Sequence, residues 1–270
     1  MVLPIEAPND KSAPAFNIAR IRDYWLGGVH HAELDRKYAD HIMVCAPQVP
    51  YLVREQRAMV RRMVRYLVQC GVRQFLDLGS GVPTMGYVHE VAQAADPQSR
   101  VLYVDIDPHL VRDGQELLRD NENADYLEAD IRRVDDVLGA PRLRELLDLS
   151  RPVAVLMIET LLHIPDTEEP AAMVAGYVDA LCSGSYLGIS HFSATTELMN
   201  GFMLFAQMFG VPPVVTLREP EQVAEFFTGL ELVPPGLVPL PLWRPDPGDD
   251  PQRNADRVRV PTGLARKPGV

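Results

Sequence analysis

The chain has 270 residues, and its 26 lysine and arginine side chains against 37 aspartate and glutamate side chains give a formal net charge of −11. Hydrophobic residues make up 47% and charged residues 23% of the sequence, which is typical of a folded globular protein and excludes global disorder. The acidic balance argues against a nucleic-acid partner, because proteins that bind phosphate backbones gather cations on one face.

The N-terminal segment, residues 1–17, is polar and rich in proline, and it predicts a flexible arm. It lacks the basic and apolar regions of a signal peptide. Every long apolar stretch of the chain is interrupted by polar residues or prolines, which argues against a membrane span. The 3 cysteines have no CxxC spacing and predict reduced thiols, not a metal site or a disulfide framework. We therefore expect a cytoplasmic protein with no membrane partner and no metal.

Residues 18–70 predict a helical extension. Between Tyr51 and Cys70, apolar residues recur at three- and four-residue steps, which indicates an amphipathic helix. We interpret the opposite face as a solvated polar surface, with an acidic partner or substrate as the alternative. That face carries Arg54, Arg57, Arg61, Arg62 and Arg65.

From residue 72 onward, short apolar runs alternate with helical patterns. Near-continuous apolar runs separated by helices of 10–15 residues indicate β-α-β units and a parallel sheet covered on both faces. The predicted strands are residues 73–78, 101–105, 125–130, 152–158 and 185–191, and the predicted helices between them include 83–95, 108–119 and 170–182. A Met- and Phe-rich helix (198–209), an acidic helix (219–227) and two C-terminal strands follow. We predict one doubly wound α/β domain over residues 18–270.

A glycine-rich turn follows the first predicted strand in the segment FLDLGSGVPT, residues 75–84. Gly79 and Gly81 allow backbone to come close to a ligand where a Cβ would collide. Ligands of doubly wound folds bind at the carboxyl ends of such strands. The turn alone is weak evidence, because tight strand-to-helix connections also use Gly-x-Gly for geometry.

Three carboxylates end consecutive predicted strands: Asp77, Asp105 and Asp130. Because neighbouring parallel strands end at the same edge of a sheet, these side chains should share one rim. An acid that ends the second strand usually accepts hydrogen bonds from ribose hydroxyls, which suits Asp105. Asp130 could accept a hydrogen bond from an adenine amine, and Asp77 near the turn favours a cation.

Charge separates two classes of nucleoside cofactor. A dinucleotide brings an anionic pyrophosphate, which favours a third glycine and no carboxylate at the turn, but this chain has Thr84 at the third-glycine position and Asp77 before the turn. S-adenosylmethionine brings a sulfonium and an ammonium without any phosphate. Opposite charges a few ångströms apart are worth about 1–4 kcal/mol at effective dielectrics between those of water and a protein surface. The acidic rim therefore favours S-adenosylmethionine.

The motifs DLGSG, VLYVD and EAD resemble those of class I S-adenosylmethionine-dependent methyltransferases. Longer segments are similar to a bacterial S-adenosyl methyltransferase family; they are residues 19–36, 74–93, 102–108, 146–166, 184–191 and 229–245. The resemblance covers nearly the whole chain from Ile18. It implies a Rossmann-like, seven-stranded mixed sheet of order 3-2-1-4-5-7-6 with the last strand antiparallel. It also implies that the N-terminal extension covers the cofactor pocket.

The resemblance further implies which residues bind the cofactor. The methionine end is expected at the glycine-rich turn and at Glu159, and the adenosine end at the second and third strands. The full set is Tyr24, Gly28, Asp77, Gly79, Ser80, Gly81, Asp105, Ile106, Asp130, Ile131 and Glu159. The sequence departs from the family at Val29-His30-His31, where the family usually has Lys-Asp-Asn.

These features predict methyl transfer to an unidentified small-molecule acceptor, with S-adenosylhomocysteine as the product. A general base would be needed for a hydroxyl or ammonium acceptor, and His163 is our candidate because it follows the fourth strand. His191, His30 and His31 are weaker candidates. The alternatives are a non-catalytic S-adenosylmethionine-binding or sensor protein and a nicotinamide-dependent oxidoreductase. We expect a monomer or a homodimer.

Overall fold

The computed structural model describes residues 17–81, 86–209, 215–250 and 258–269, so the predicted arm lies, apart from Asn17, outside the described residues. The helices are α1 (Ile18–Trp25), α2 (Glu33–Cys45), α3 (Val49–Gln69), α4 (Val88–Ala95), α5 (Pro108–Leu118), α6 (Val134–Gly139), α7 (Pro141–Leu146), α8 (Pro170–Asp179), α9 (Thr196–Phe209) and α10 (Pro220–Glu225). The strands are β1 (Gln74–Leu78), β2 (Arg100–Asp105), β3 (Ala124–Glu128), β4 (Ala154–Ile158), β5 (Tyr186–Ser190), β6 (Glu231–Leu232), β7 (Val238–Pro239) and β8 (Pro261–Arg266).

Within the described residues, these eight strands form one sheet. Seven of them lie in the order β3-β2-β1-β4-β5-β8-β6, and β7 also pairs with β8. Strands β1 to β5 pair in parallel, and β8 pairs antiparallel to β5. This arrangement confirms the predicted doubly wound, Rossmann-like sheet with an antiparallel last strand.

The sheet differs from the prediction at its far edge, where the expected sixth strand is divided in two. Strands β6 and β7 each pair antiparallel with β8, at different parts of its length. Pro234 and Pro235 lie between them. A proline has no N–H to donate to a neighbouring strand, so the ladder is interrupted there.

Both faces of the sheet are covered, because successive residues of a strand point to opposite faces. In β1, Phe75 packs in one apolar cluster with Met59, Met63 and Leu67 of α3. Leu76 packs in a second cluster with residues of α7 and α8 on the other face. The near-continuous apolar runs of the sequence follow from this double burial.

Helices α1 and α2 form a small cluster of their own, which includes Ile21, Trp25 and Tyr38. Asn17 begins α1, because its side-chain oxygen accepts the backbone N–H of Ala19 at 2.7 Å. This is the usual N-cap arrangement for asparagine. Helix α1 also packs against α3, and α3 packs against α4 and β1, so the helical extension lies against the sheet domain.

The polar face predicted for α3 is solvated only in part. Arg54, Arg61 and Arg65 are exposed, but Arg62 is buried and donates hydrogen bonds to the carbonyl oxygens of Trp243 and Leu240. The C-terminal segment packs on this face of α3, which helical periodicity alone does not reveal. Among the residues that the structure describes, no helix is both long and apolar enough to cross a membrane.

Candidate functional site

A cavity of about 560 Å³ opens at the carboxyl ends of the parallel strands. Strands β1, β2 and β4, the residues directly after β3, and helices α1 and α3 contribute to its wall. Ten of the residues predicted for the site line it: Asp77, Gly79, Ser80, Gly81, Asp105, Ile106, Asp130, Ile131, Glu159 and His163. The structure therefore brings the strand-end carboxylates together at one place. The volume is within the range of ordinary small-molecule sites.

The glycine-rich turn after β1 is closely packed at Gly79. This residue has a φ of +72°, which side chains rarely adopt. A Cβ here would lie 2.3 Å from Thr160 Cγ2. The Thr160 hydroxyl donates a hydrogen bond to the carbonyl oxygen of Leu78 at 2.6 Å, which fixes it against the turn. Position 79 therefore requires glycine for both its backbone conformation and its packing.

Asp105, at the end of β2, holds the same turn by a hydrogen bond. Its Oδ2 accepts the backbone N–H of Gly81 at 2.8 Å, and its Oδ1 accepts that of Asp107 at 3.0 Å. Asp107 in turn accepts a hydrogen bond from the Asn17 side chain at 2.7 Å. Asn17 and Asp107 both line the cavity, so they join the start of α1 to the sheet edge. Sequence analysis did not identify either residue.

Asp77 is the most strongly perturbed carboxyl group of the cavity lining. It is 8% exposed, and burial raises its pKa to about 7. Arg57 acts against this rise, and the nearby charge of Asp105 adds to it. Asp77 is therefore divided between its neutral and ionised forms near neutral pH, and a cation placed beside it would favour the ionised form.

Asp130 follows β3 and is already paired with a cation. Its carboxylate accepts hydrogen bonds from Arg132 at 2.6 to 3.0 Å, and these bonds lower its pKa. Arg132 also donates to Glu168 at 2.8 Å. Its neighbour Ile131 is buried, whereas Ile106 after β2 is 60% exposed and offers an apolar surface at the cavity.

Glu159 ends β4 in an uncommon backbone conformation, with a φ of +60°. Its N–H donates to the carbonyl oxygen of Ser190 at 2.9 Å, which holds it to the neighbouring strand. The carboxylate is buried and accepts a hydrogen bond from Arg22 Nη1 at 2.6 Å. This ion pair joins α1 directly to the end of β4. Strained non-glycine residues of this kind cluster at functional sites.

Tyr24 and Gly28 do not line the cavity. Tyr24 lies in the last turn of α1, and Gly28 lies in the loop that follows this helix. A Cβ at Gly28 would lie 1.9 Å from Asp23 Oδ1. The buried Asp23 carboxylate accepts the backbone N–H of His30 at 2.7 Å and contacts His31 Nδ1 at 3.0 Å. The Tyr24 ring meets the His31 ring edge-on. A contact of Tyr24 or Gly28 with a cofactor stays a prediction.

The candidate histidines have different surroundings. His163 lies in the short 3₁₀ turn Leu161–His163 after β4, and its side chain is exposed at the cavity. His191 is fully buried, and burial lowers its pKa to about 4. It lies 2.9 Å from the carbonyl oxygen of Phe192 and 3.0 Å from Arg218 Nη1. His191 is thus a neutral core histidine, whereas His30 and His31 belong to the turn at Asp23.

Helix α9 contains the Met- and Phe-rich segment of the sequence, and it packs against α2. Gly201 lies close to the backbone of Cys45, and a Cβ there would be 3.1 Å from its carbonyl oxygen. Met199 and Met203 are exposed, and the side chains of Phe205, Met208 and Phe209 lie outside the described residues. None of the described side chains of α9 lines the cavity.

Sequence analysis also missed the contribution of α3. Gln56 and Arg57 line the cavity, and the Arg57 guanidinium lies 4.8 Å from the centre of the Tyr87 ring. Among the described residues, Gln56 Nε2 and Ser80 Oγ are buried polar atoms without a hydrogen-bond partner. Such groups are costly unless a ligand or water satisfies them. Over the described ranges, no group of three His, Cys, Asp or Glu side chains could hold a metal ion.

These features fit a cationic nucleoside ligand. Carboxylates end the strands where its charged and hydroxyl groups would lie, the turn at Gly79 leaves room for close approach, and unpaired polar atoms remain to be satisfied. The adenosine end would be held by Asp105, Ile106 and the Asp130 region. The amino-acid end would be held by the turn, Asp77 and Glu159.

Comparisons with known proteins support this interpretation. A sequence profile described as S-adenosyl methyltransferase matches residues 6–268. A DUF574 family protein from Streptomyces avermitilis MA-4680 is 36% identical, with a TM-score of 0.85, over 94% of this chain and 98% of that chain. A candidate methyltransferase from Thermobifida fusca YX is 34% identical, with a TM-score of 0.86, over 98% of this chain and 100% of that chain.

The comparison with curated proteins gives no match. The profile nevertheless spans nearly the whole chain, and the two crystal structures share both the sequence and the fold over nearly all of their length. The chain therefore belongs to the S-adenosyl methyltransferase family, whose cofactor is S-adenosylmethionine.

Proposed function

We propose that the protein transfers a methyl group from S-adenosylmethionine to a small-molecule acceptor within the cavity. The observation that carries this proposal is the convergence of Asp77, Asp105, Asp130 and Glu159 on one cavity of about 560 Å³. Family membership supports a methyl-transfer reaction. The cavity also supports a small acceptor, because its volume of about 560 Å³ lies between the sheet edge and the N-terminal helices.

The residues would divide the cofactor between them. Asp105 would accept hydrogen bonds from ribose hydroxyls, while Ile106 and Ile131 provide apolar surface for adenine. Asp77 and Glu159 would pair with the positively charged groups of the methionine end. When bound, S-adenosylmethionine supplies an electrophilic methyl group carried on a sulfonium.

The chain itself has to position the acceptor and keep water out. Alignment of the reacting groups at about 3–3.5 Å can supply roughly 7–11 kcal/mol of the barrier. Helix α1 is held over the cavity by the Asn17–Asp107 hydrogen bond at 2.7 Å and the Arg22–Glu159 ion pair at 2.6 Å. We therefore assign residues 18–70 the role of a cover for the pocket. His163, exposed at the cavity, would accept a proton from a hydroxyl or ammonium acceptor.

Two measurements test this proposal. Isothermal titration calorimetry should detect binding of S-adenosylmethionine and S-adenosylhomocysteine, but not of NAD. A methyl-labelled cofactor should then transfer its label to at least one member of a small-molecule panel. Absence of binding would refute the cofactor assignment. Binding without transfer to any acceptor would favour the sensor alternative over the enzyme.

Three further expectations stay predictions of the sequence. They are a cytoplasmic location, the absence of a nucleic-acid partner, and a monomeric or homodimeric state. Size-exclusion chromatography with light scattering would measure the last of these directly.

A further inference from the structure

The two sides of the cavity carry different chemistry. The strand ends bring carboxylates, whereas α1 and α3 bring three hydrogen-bond donors, together with the buried carboxylate of Asp23 on α1. Arg22 lies on α1, and Gln56 and Arg57 lie on α3. The acidic side suits the charged end of the cofactor, but it does not explain the two guanidinium groups that α1 and α3 add to the strand ends, where Arg132 already pairs with Asp130.

Each guanidinium lies beside a carboxylate. Arg22 Nη1 donates to Glu159 at 2.6 Å. Arg57 is close enough to Asp77 to oppose the rise in the pKa of that carboxyl group. Burial lowers the pKa of Arg57, and the nearby charge of Arg22 lowers it further. Both guanidinium groups line the same cavity, and an anion bound between them would be stabilised by both positive charges.

The amide of Gln56 adds an unsatisfied donor to the same region. The side chain is 3% exposed, and its Nε2 is buried without a hydrogen-bond partner among the residues described. A buried amide left unpaired is destabilising, so a ligand that accepts this hydrogen bond would gain affinity. Gln56 lies next to Arg57 in the chain, and both line the cavity.

We propose that Arg22, Arg57 and Gln56 bind the carboxylate of an α-amino-acid group whose ammonium pairs with Glu159 and Asp77. Such a group carries both charges on one carbon, which matches a cavity lined by the Arg22–Glu159 ion pair and by Arg57 and Asp77. Arg22 and Glu159 pair with each other in the structure, and on binding each would exchange that partner for the oppositely charged group of the ligand. Helix α1 is then a direct part of the binding site.

This inference rests on the proposed function, because one source of the amino-acid group is the methionine end of S-adenosylmethionine. The other source is an acceptor that is itself an amino acid. Guanidinium groups recognise a carboxylate in either case through charge-assisted hydrogen bonds. The two sources can be separated with ligands that lack one part of the cofactor.

The first arm of the test compares two nucleosides by calorimetry. S-adenosylhomocysteine contains the amino-acid group, and 5′-methylthioadenosine shares its adenosine and thioether but lacks that group. Arg57→Met and Arg22→Gln should each weaken the binding of S-adenosylhomocysteine by about 10- to 100-fold, since hydrogen bonds to charged groups contribute about 1.5–3 kcal/mol. Binding of 5′-methylthioadenosine should be unchanged. Arg57→Lys, which keeps the charge but not the planar fork, should be intermediate.

The matched control is Arg54→Met, an exposed arginine on the same helix and outside the cavity lining. It should leave the affinities for both nucleosides unchanged. Each variant is judged by the ratio of its affinities for the two nucleosides. A general loss of folded protein affects both nucleosides equally, so it does not change this ratio. Thermal unfolding of each variant checks the fold independently.

The second arm measures thermal stabilisation by free methionine and by methioninamide, which lacks the carboxylate. The amino-acid group belongs to the acceptor if two results are found together. The first is an affinity ratio that is unchanged in both arginine variants. The second is that methionine stabilises the wild type but neither variant, whereas methioninamide does not stabilise the wild type. If neither the ratio nor the methionine effect depends on Arg22 or Arg57, the inference is wrong. Wild-type protein that binds neither nucleoside would refute the proposed cofactor, while the methionine arm would still decide the inference.

Discussion

Asp77 should make cofactor affinity sensitive to pH. Its pKa in the folded protein is about 7, against an ordinary value of 3.8, mainly because the side chain is buried. A cationic ligand pairs with the ionised carboxylate, so below pH 7 a proton has to leave before that pair forms. Affinity should therefore rise as the pH rises and level off above about 7. Between pH 8 and pH 6 the ionised fraction falls from about nine-tenths to about one-tenth, which predicts a roughly tenfold loss of affinity.

The same carboxyl group should destabilise the protein when it ionises. Folding raises its pKa, so the folded state favours the protonated carboxyl group. The stability contributed by this protonated form is fully present below the unfolded pKa near 4 and is lost as the pH rises through about 7. The difference between the two pKa values corresponds to on the order of 4 kcal/mol. Asp77→Asn cannot ionise, so we expect it to unfold at a higher temperature than the wild type at pH 8. Loss of the charge beside Arg57 offsets part of this gain.

Calorimetry with S-adenosylhomocysteine at pH 6, 7 and 8 measures the affinity, and repeating it in buffers of different ionisation enthalpy measures proton release. The wild type should release about one proton per ligand at pH 6 and almost none at pH 8. Asp77→Asn should bind weakly with little pH dependence. His163→Ala, which removes another titratable group of the cavity, should show the same dependence of affinity on pH as the wild type. A flat wild-type profile, or an equal slope in Asp77→Asn, would refute the assignment.

Three other variants test individual residues of the site. His163→Ala should lower methyl transfer while cofactor affinity stays within a few-fold, and unchanged turnover would remove His163 as the base. Gly79→Ala should abolish cofactor binding and lower the thermal stability, because its Cβ would lie 2.3 Å from Thr160 Cγ2 and its φ is +72°; wild-type binding by this variant would contradict the packing argument. Gly28→Ala should lower the free energy of unfolding by about 1–3 kcal/mol through its clash with Asp23, as measured by urea denaturation, and no change would show that the turn can relax.

The sheet and the acidic rim were predictable because they depend on local patterns. Apolar runs alternating with helical segments indicate parallel strands, and Asp77 and Asp105 end two of these strands in the sequence itself. The turn at Gly79 follows from the same reasoning. Parallel strands place their carboxyl ends at one edge, so no tertiary information was needed to bring these residues together.

The helical wall of the cavity was not predictable in the same way. The periodicity of α3 separates an apolar face from a polar one, but it does not show that Arg57 meets the cavity and Arg62 meets the C-terminal segment. Both depend on contacts between parts of the chain that are far apart in sequence. The motif resemblance, similarly, associates Gly28 with the cofactor, whereas the structure shows its close approach to Asp23.

The carboxylates of the cavity are not equivalent, and the difference lies in their existing partners. Asp130 is held by Arg132, Asp105 by two backbone N–H groups, and Glu159 by Arg22. Asp77 is instead buried to the extent that its pKa rises to about 7, even with Arg57 nearby. A cationic ligand gains most where a carboxylate is least satisfied before binding. Asp77 should therefore determine how strongly the charge of the ligand is recognised, while Asp105 and Asp130 determine how the nucleoside is oriented.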